Sequence, residues 1–128
     1  MTRPPLPQVA DVVEVYPLNV WAADVEQALT VLDEAERLRF ARYRDRWKAH
    51  EFAATRAFLR RLLSDRAGGS PRDVPLDSIC RRCGRHYGPP RLVPPADPVA
   101  ISVTHSNGWA LVALGPPAAP IGIALEHP

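Results

Sequence analysis

The spacing of apolar residues changes along the chain, from a period of two to a helical period and back. Residues 12–21 (VVEVYPLNVW) alternate apolar or β-branched residues with polar ones, which predicts a strand. Pro17 lies inside this run and has no backbone N–H to donate, so we expect a strand that this proline interrupts or borders. Residues 24–32 (DVEQALTVL) predict a short helix with Asp24 as its N-cap.

A second helix is predicted over residues 32–43 (LDEAERLRFARY). Asp33 can cap its first turn, and Glu36 stands three residues later, which is the spacing of a capping box. Both acids are therefore expected to stabilise the start of this helix.

The strongest pattern in the chain is a long helix over residues 44–69, which ends at Gly68 and Gly69. Most of its large apolar positions fall on one stripe, which we expect to face the core: Trp47, Phe52, Thr55, Phe58, Leu59, Leu62 and Leu63. The arginines of this helix are expected on or beside its other faces: Arg56, Arg60 and Arg61.

The second half of the chain alternates short apolar runs with turns. The predicted strands lie around residues 76–80, 91–93, 101–106, 109–114 and 121–125. One long helix packed on a small, mainly antiparallel sheet is an α+β architecture. We expect a single domain over residues 12–128, preceded by a flexible tail over residues 1–11.

Composition sets limits on function. Hydrophobic residues make up 46% of the 128 residues and charged residues 23%, which suits a globular core. A formal net charge of +2 gives no general case for nucleic-acid binding. No apolar run approaches the roughly 20 residues that span a bilayer, and the start lacks the apolar centre of a secretory signal. We therefore expect a cytoplasmic protein that does not enter membranes.

Charge is unevenly distributed. Residues 37–61 contain eight arginines and one lysine against Asp45 and Glu51, with Glu34 and Glu36 just upstream. A local basic surface of this kind attracts phosphorylated ligands or acidic partners even when the whole protein is nearly neutral.

The CRRCG segment places Cys80 and Cys83 at the spacing of half a zinc site or of a dithiol redox motif. A structural zinc ion needs four ligands, and His86 is the one nearby residue that offers a third. Two plain thiols in a loop are the remaining interpretation, and the sequence does not decide among the three.

Two segments near the C-terminus carry candidate chemistry. In VTHSNG, hydroxyls and His105 stand at a strand end, where they can bind phosphate or form an ordinary polar surface. A serine nucleophile beside its base is a further interpretation, although neighbouring residues of a strand point to opposite faces and rarely make that contact. In GIALE, Glu126 lies at a strand end with Ala124 two residues earlier on the same face. Two carboxylates at that spacing would suit Mg²⁺, and here one of the two positions is an alanine.

Taken in order, these segments resemble the N-terminal half of the Sfp-type 4′-phosphopantetheinyl transferases. The resemblance runs through EAERLRFARYRDR, ATRAFLRRLLS, CRRCGRHYGPPRL and ISVTHSNGWALVALG to PIGIALE, nearly the whole chain after its tail. SVTHSNGWALVAL looks like the Ser/Thr-His-Ser strand turn of the family, and PIGIALE looks like its Gly-x-Asp-x-Glu metal strand.

The resemblance implies transfer of phosphopantetheine from coenzyme A to a serine of an acyl or peptidyl carrier protein, with Mg²⁺ bridging the pyrophosphate. It implies that Thr104 and His105 contact the coenzyme A phosphates and that Glu126 is a magnesium ligand. It also implies help from the basic helices, through Arg39, Arg56 or Arg60, although these arginines have an alternative interpretation as solvated surface charge. The implied fold is half of a pseudo-twofold molecule with coenzyme A between its halves.

The chain departs from the family pattern at two positions, Ala124 in place of the metal-binding Asp and Pro89 in place of a phosphate-binding lysine. The Trp-x-x-Lys-Glu stretch of the C-terminal half is also not in the sequence. Three interpretations follow. The chain is a half-size subunit that works with a separate second half; or it is a pseudo-transferase that acts as a dimeric binding or regulatory module or serves another chemistry; or it is part of a longer transferase. Without a partner half we expect the chain to be inactive.

Overall fold

The fold was obtained as a computed structural model that describes residues 13–78, 89–93 and 99–117. Helices α1 (Val25–Val31), α2 (Glu34–Arg42) and α3 (Arg46–Ala67) follow strand β1 (Glu14–Asn19). Strands β2 (Leu76–Asp77), β3 (Arg91–Leu92), β4 (Ala100–Ser106) and β5 (Trp109–Gly115) come after α3. The predicted tail, the Cys80–Cys83 motif, Ala124, Glu126 and the strand predicted over residues 121–125 lie outside the described residues.

The main sheet is antiparallel with the strand order β1-β5-β4. Pro17 lies within β1, at the edge of this described sheet, and pairs with Leu111 of β5, so the proline does not interrupt the predicted strand. An Asn107-Gly108 turn joins β4 to β5, with φ angles of 50° and 80°. Positive φ at both central residues is the geometry that matches the twist of a tight hairpin, and Asn-Gly is the preferred sequence for it. Strands β2 and β3 form a second, two-stranded antiparallel ladder.

Each of the three helices has an aspartate as its N-cap, which is Asp45 for α3. Asp24 accepts hydrogen bonds from the backbone of Glu26 and Gln27 at the start of α1. Asp33 and Glu36 form the predicted capping box of α2. Helix α3 ends at Gly68, whose φ of 83° lies in the region that favours glycine.

Helix α3 is covered on two sides. Its Leu59 and Leu63 pack with Val112 and Leu114 of the central strand β5. On the other side, small side chains let the helices approach closely, and this second cluster contains Ala28, Leu32, Ala53 and Ala57. The architecture is therefore the predicted α+β fold, a long helix packed on a small antiparallel sheet.

The alternative interpretation of the α3 arginines as solvated surface charge is wrong for two of them. Arg56 is 6% exposed and Arg60 is fully buried, whereas Arg61 is exposed as expected. Because helices α1 and α2 cover the side of α3 that lies away from the sheet, a simple division into an apolar and a solvated face does not hold for this helix. Within the described residues, no helix is both long enough and apolar enough to cross a membrane.

Candidate functional site

A cleft of about 430 Å³ lies between the helices α2 and α3 and the strand β4. This volume falls within the range of about 300–1,000 Å³ that is typical of small-molecule sites. The cleft is lined by Arg39, Tyr43, Lys48, Glu51, Phe52, Thr55, Arg56, Leu59, Pro89, Pro90, Ile101, Ser102, Val103 and His105. Three cationic side chains and one imidazole thus stand against one carboxylate, which makes the cleft a candidate site for an anionic ligand.

Phe52 organises the basic wall of the cleft. The Arg39 guanidinium carbon lies 4.4 Å from the centre of the Phe52 ring, and that of Arg56 lies 5.0 Å from it. Arg39 also donates from Nε to the Tyr43 hydroxyl over 3.2 Å, and the Tyr43 ring tilts against Phe52 with its centroid 5.7 Å away. Two cations are therefore held near each other by contact with one aromatic ring.

Arg56 is shared between the cleft and the protein interior. Its Nη1 donates to Glu36 Oε2 over 3.1 Å and to Ser78 Oγ over 2.9 Å. Burial lowers the pKa of Arg56 from its ordinary value, while the Glu36 carboxylate acts in the opposite direction. Part of the Arg56 charge is thus already paired before any ligand binds.

Arg60 has a different role from the one that the sequence predicted. Its guanidinium donates to both Glu36 and Asp33, at 2.7 Å and 3.0 Å. It also donates to the backbone carbonyls of Pro71, Arg72 and Val74. With no exposed surface and all three nitrogens bonded within the protein, Arg60 ties α2, α3 and the following loop together. We therefore assign it to the fold and not to a coenzyme A site.

His105 reaches the cleft from β4. Its Nε2 lies 3.1 Å from the Thr55 hydroxyl of α3. Burial of the imidazole lowers the pKa of His105 below its ordinary value, and the nearby Glu51 carboxylate opposes this shift. By its solvent-accessible surface His105 belongs to the exposed residues, so the ring is also accessible from the cleft. The sequence predicted a phosphate contact for His105, and the structure places this side chain in the basic cleft.

Thr104 is not among the residues that line the cleft. Successive side chains of a strand point to opposite faces of the sheet, so Thr104 and His105 face opposite sides of β4. The sequence interpretation assigned both side chains to the phosphates of one ligand. Only His105 is brought beside Arg39 and Arg56.

Sequence reasoning missed three members of the cleft. Thr55 was interpreted only as part of the apolar stripe, and Lys48 and Glu51 were counted only as local charge. Lys48, Glu51 and Thr55 stand at positions i, i+3 and i+7, which places them on one face of the helix. This spacing was the available signal, but nothing in the sequence paired that helix face with His105. Pro89, which stands where the family has a lysine, lies in the wall of the cleft.

The predicted magnesium ligand and the predicted zinc ligands lie outside the described residues. Among the described residues, no group of three or more His, Cys, Asp or Glu side chains is arranged to hold a metal ion. Glu126, Ala124 and the two cysteines lie outside that part of the chain. Comparisons with protein-family models and with curated proteins gave no match to this sequence.

Proposed function

We propose that this protein is a 4′-phosphopantetheinyl transferase-like domain whose cleft binds the phosphates of coenzyme A. The observation that carries the proposal is the convergence of His105 with Arg39, Lys48 and Arg56 in one cleft. These residues come from three separate elements, so their meeting is a property of the fold and not of one basic segment. The sequence resemblance, which includes the SVTHS turn that contains His105, supports the same assignment.

The chemistry of the cleft suits a polyanion with an organic body. Guanidinium, ammonium and imidazole groups supply charged donors, and such hydrogen bonds are roughly twice as strong as neutral ones. Phe52, Ile101 and Val103 supply apolar surface beside these donors. A nucleotide with a pyrophosphate group and an apolar arm matches both features.

We assign separate roles to the cationic residues. Arg39 is fixed against Phe52 and Tyr43, so it presents a preorganised donor. Lys48 is an exposed cation at the cleft, which suits a flexible contact with a terminal phosphate. Arg56 contributes mainly through its charge, because its Nη1 atom already donates to Glu36 and Ser78.

The complete reaction needs groups that the described residues do not provide. In the proposed transferase, the oxygen of a carrier-protein serine attacks the β-phosphorus of coenzyme A, the pyrophosphate bond to the nucleotide breaks, and 3′,5′-ADP leaves. A second half supplies the Trp-x-x-Lys-Glu stretch for metal binding and for transfer of the serine proton. Mg²⁺, held in part by Glu126, would neutralise charge on the pyrophosphate. We therefore propose that this domain forms the phosphate-binding side of the site and works with a complementing half.

The alternative is a pseudo-transferase, a dimeric binding or regulatory module. Pro89 favours it, because this residue adds an uncharged ring to the cleft wall where the family has a lysine. Ala124 at the position of the family aspartate favours it as well. On this account the cleft retains a ligand but the chain does not complete the chemistry.

One experiment separates the two functions. The protein is mixed with a candidate complementing half, coenzyme A, Mg²⁺ and an apo carrier protein, and the mass of the carrier is measured. A gain of one phosphopantetheine group supports the transferase, and omission of the complementing half should abolish that gain. Coenzyme A binding by calorimetry without any mass gain supports the pseudo-transferase, and the absence of both results would overturn the phosphate-site assignment.

A further inference from the structure

Thr55 is the hydrogen-bonding partner of His105 inside the cleft. The two residues are 50 positions apart in the chain, and their side chains join α3 to β4 through a contact of 3.1 Å between Oγ1 and Nε2. Thr55 is 5% exposed, so water has little access to its hydroxyl. A hydroxyl both donates and accepts, whereas the neutral imidazole has one donor nitrogen and one acceptor nitrogen.

The proton of the Thr55 hydroxyl is available to the imidazole. Helical Thr30 and Ser64 donate their hydroxyl protons to the carbonyls of Gln27 and Arg61 in the preceding turn. Within residues 13–78, 89–93 and 99–117, the Thr55 hydroxyl instead has His105 as its hydrogen-bond partner. A hydroxyl that donates to Nε2 leaves the proton of a neutral imidazole on Nδ1, whereas a hydroxyl that accepts from Nε2–H leaves Nδ1 without a proton.

We propose that Thr55 is a positioning residue that holds neutral His105 in its Nδ1–H tautomer, so that Nδ1 donates a hydrogen bond to the phosphate of a ligand. The Thr55 hydroxyl can also accept from Nε2–H when the ring is protonated. Nδ1 consequently remains a donor in both protonation states. This inference rests on the proposed function for the identity of the ligand, but not for the state of the ring.

The charges around His105 favour a neutral ring, so the position of its single proton decides whether the ring can donate to a phosphate. Burial of His105 favours the neutral ring, and Glu51 favours the charged one. The other ionisable groups that line the cleft are Lys48 and Arg56 on α3, Arg39 on α2 and Tyr43 just after α2. Three of these four groups are cationic and disfavour a further positive charge. A neutral ring can assist phosphate binding only if its proton is on the nitrogen that faces the ligand.

His50 provides a reference, because its neutral ring should adopt the opposite tautomer to that proposed for His105. His50 Nε2 lies 2.8 Å from the backbone carbonyl oxygen of Val20. Because a carbonyl only accepts, neutral His50 must carry its proton on Nε2. The ¹⁵N chemical shifts of the two rings, measured above the pKa of each, should therefore show opposite tautomers.

The test combines histidine ¹⁵N NMR with binding of inorganic pyrophosphate at a pH where His105 is neutral. We expect the Nδ1–H tautomer for His105 in the wild type and in Thr55→Ser, with affinities within about twofold of each other. Thr55→Val keeps the side-chain shape but removes the hydroxyl that donates to Nε2. We therefore expect this variant to shift His105 towards the Nε2–H tautomer and to weaken pyrophosphate binding about tenfold. The spectrum of His50 should not change in either variant and reports that the fold is intact.

The wild-type spectrum alone can overturn the proposal, so the test does not depend on a variant that folds. Neutral His105 in the Nε2–H tautomer would refute it, as would a Thr55→Val protein with unchanged tautomer and unchanged affinity. Coenzyme A serves as a separate probe. If the tautomer and pyrophosphate results hold but coenzyme A does not bind, the proposed function fails and this inference stands. If coenzyme A binds and the wild-type ring is Nε2–H, only this inference fails.

Discussion

Arg60 Nε lies 2.7 Å from Glu36 Oε1, and both side chains are almost completely shielded from water. The other oxygen of the same carboxylate accepts from Arg56, 3.1 Å away. One carboxylate thus lies between two buried guanidiniums, and Asp33 gives Arg60 a second acidic partner. Such a network is costly to disrupt, because removal of one member leaves a buried charge without its counter-charge.

Glu36→Gln should therefore destabilise the fold by about 3 kcal/mol, measured as the free energy of unfolding in urea. The variant keeps the shape of the side chain but removes the charge that both arginines share. Glu34→Gln is the matched control, because Glu34 is exposed and lies in the same helix; we expect a change within about 0.5 kcal/mol. Equal effects of the two variants would contradict the assigned role of Glu36.

A second prediction concerns the hairpin turn. A Cβ atom added at Gly108 would lie 1.7 Å from Trp21 Nε1. Trp21 stacks on Trp47 with 4.2 Å between ring centroids, and Trp47 in turn stacks on His50. Gly108→Ala must displace the Trp21 ring, so we expect a changed near-ultraviolet circular dichroism spectrum and a loss of about 2 kcal/mol in stability.

Gly69→Ala is the control for that prediction. Gly69 has a similar φ of 87°, but apart from its chain neighbours no described residue comes within 4 Å of an added Cβ. This variant carries only the backbone strain, which we expect to cost about 1 kcal/mol, and should leave the tryptophan spectrum unchanged. If both variants gave the same spectrum and the same stability, the contact between Trp21 and Gly108 would have no structural importance.

The pKa of His105 gives a prediction with a definite sign. Because folding lowers this pKa, the unfolded chain binds more protons in the window below the ordinary value of about 6.5. The contribution of His105 to stability is then complete above that value and is lost as the pH falls towards the lower folded pKa. The difference in unfolding free energy between wild type and His105→Gln should follow this course.

Anion binding should raise the pKa of His105, whereas burial of the ring lowers it. A phosphate beside the ring favours the imidazolium form, so saturating pyrophosphate should raise the pKa of His105 in an NMR titration. The His50 resonances provide an internal comparison. An unchanged pKa of His105 at saturation would place the anion away from this ring.

The fourth prediction comes from the sequence. If the GIALE segment has lost one ligand of a magnesium site, Ala124→Asp should restore it. We expect coenzyme A affinity to rise about tenfold with Mg²⁺ present and to stay unchanged without it. Ala119→Asp adds the same charge at another position and should show no magnesium dependence. A similar gain in both variants would argue against a metal site at Ala124.

Local features of the fold were predictable because their causes are local. Asp24 and the pair Asp33–Glu36 fix the helix starts through contacts within four residues, and Gly68 ends α3 in the same way. The site was only partly predictable, because it depends on contacts between distant segments. His105 was identified from the SVTHS turn, but its partner Thr55 became apparent only when β4 was placed beside α3.

The arginines illustrate the same limit. Periodicity on α3 separates large apolar residues from arginines, and this pattern normally indicates a buried and a solvated face. It gives no information on a second layer that covers the polar face. Once α2 lies there with Glu36 turned inwards, Arg56 and Arg60 become interior residues. Of the three arginines to which the sequence gave a ligand role, Arg39 and Arg56 line the cleft and Arg60 does not.

The central claim is that the cleft around His105 binds the phosphates of coenzyme A, and calorimetry tests it most directly. Coenzyme A, 3′,5′-ADP and pantetheine are titrated into the wild type, His105→Ala, Lys48→Ala and the control Arg61→Ala, whose side chain lies outside the cleft. We predict binding of the two phosphorylated ligands but not of pantetheine, with losses of about tenfold in the His105 and Lys48 variants and none in the Arg61 variant. Equal binding of pantetheine, or equal effects of all three substitutions, would contradict the account.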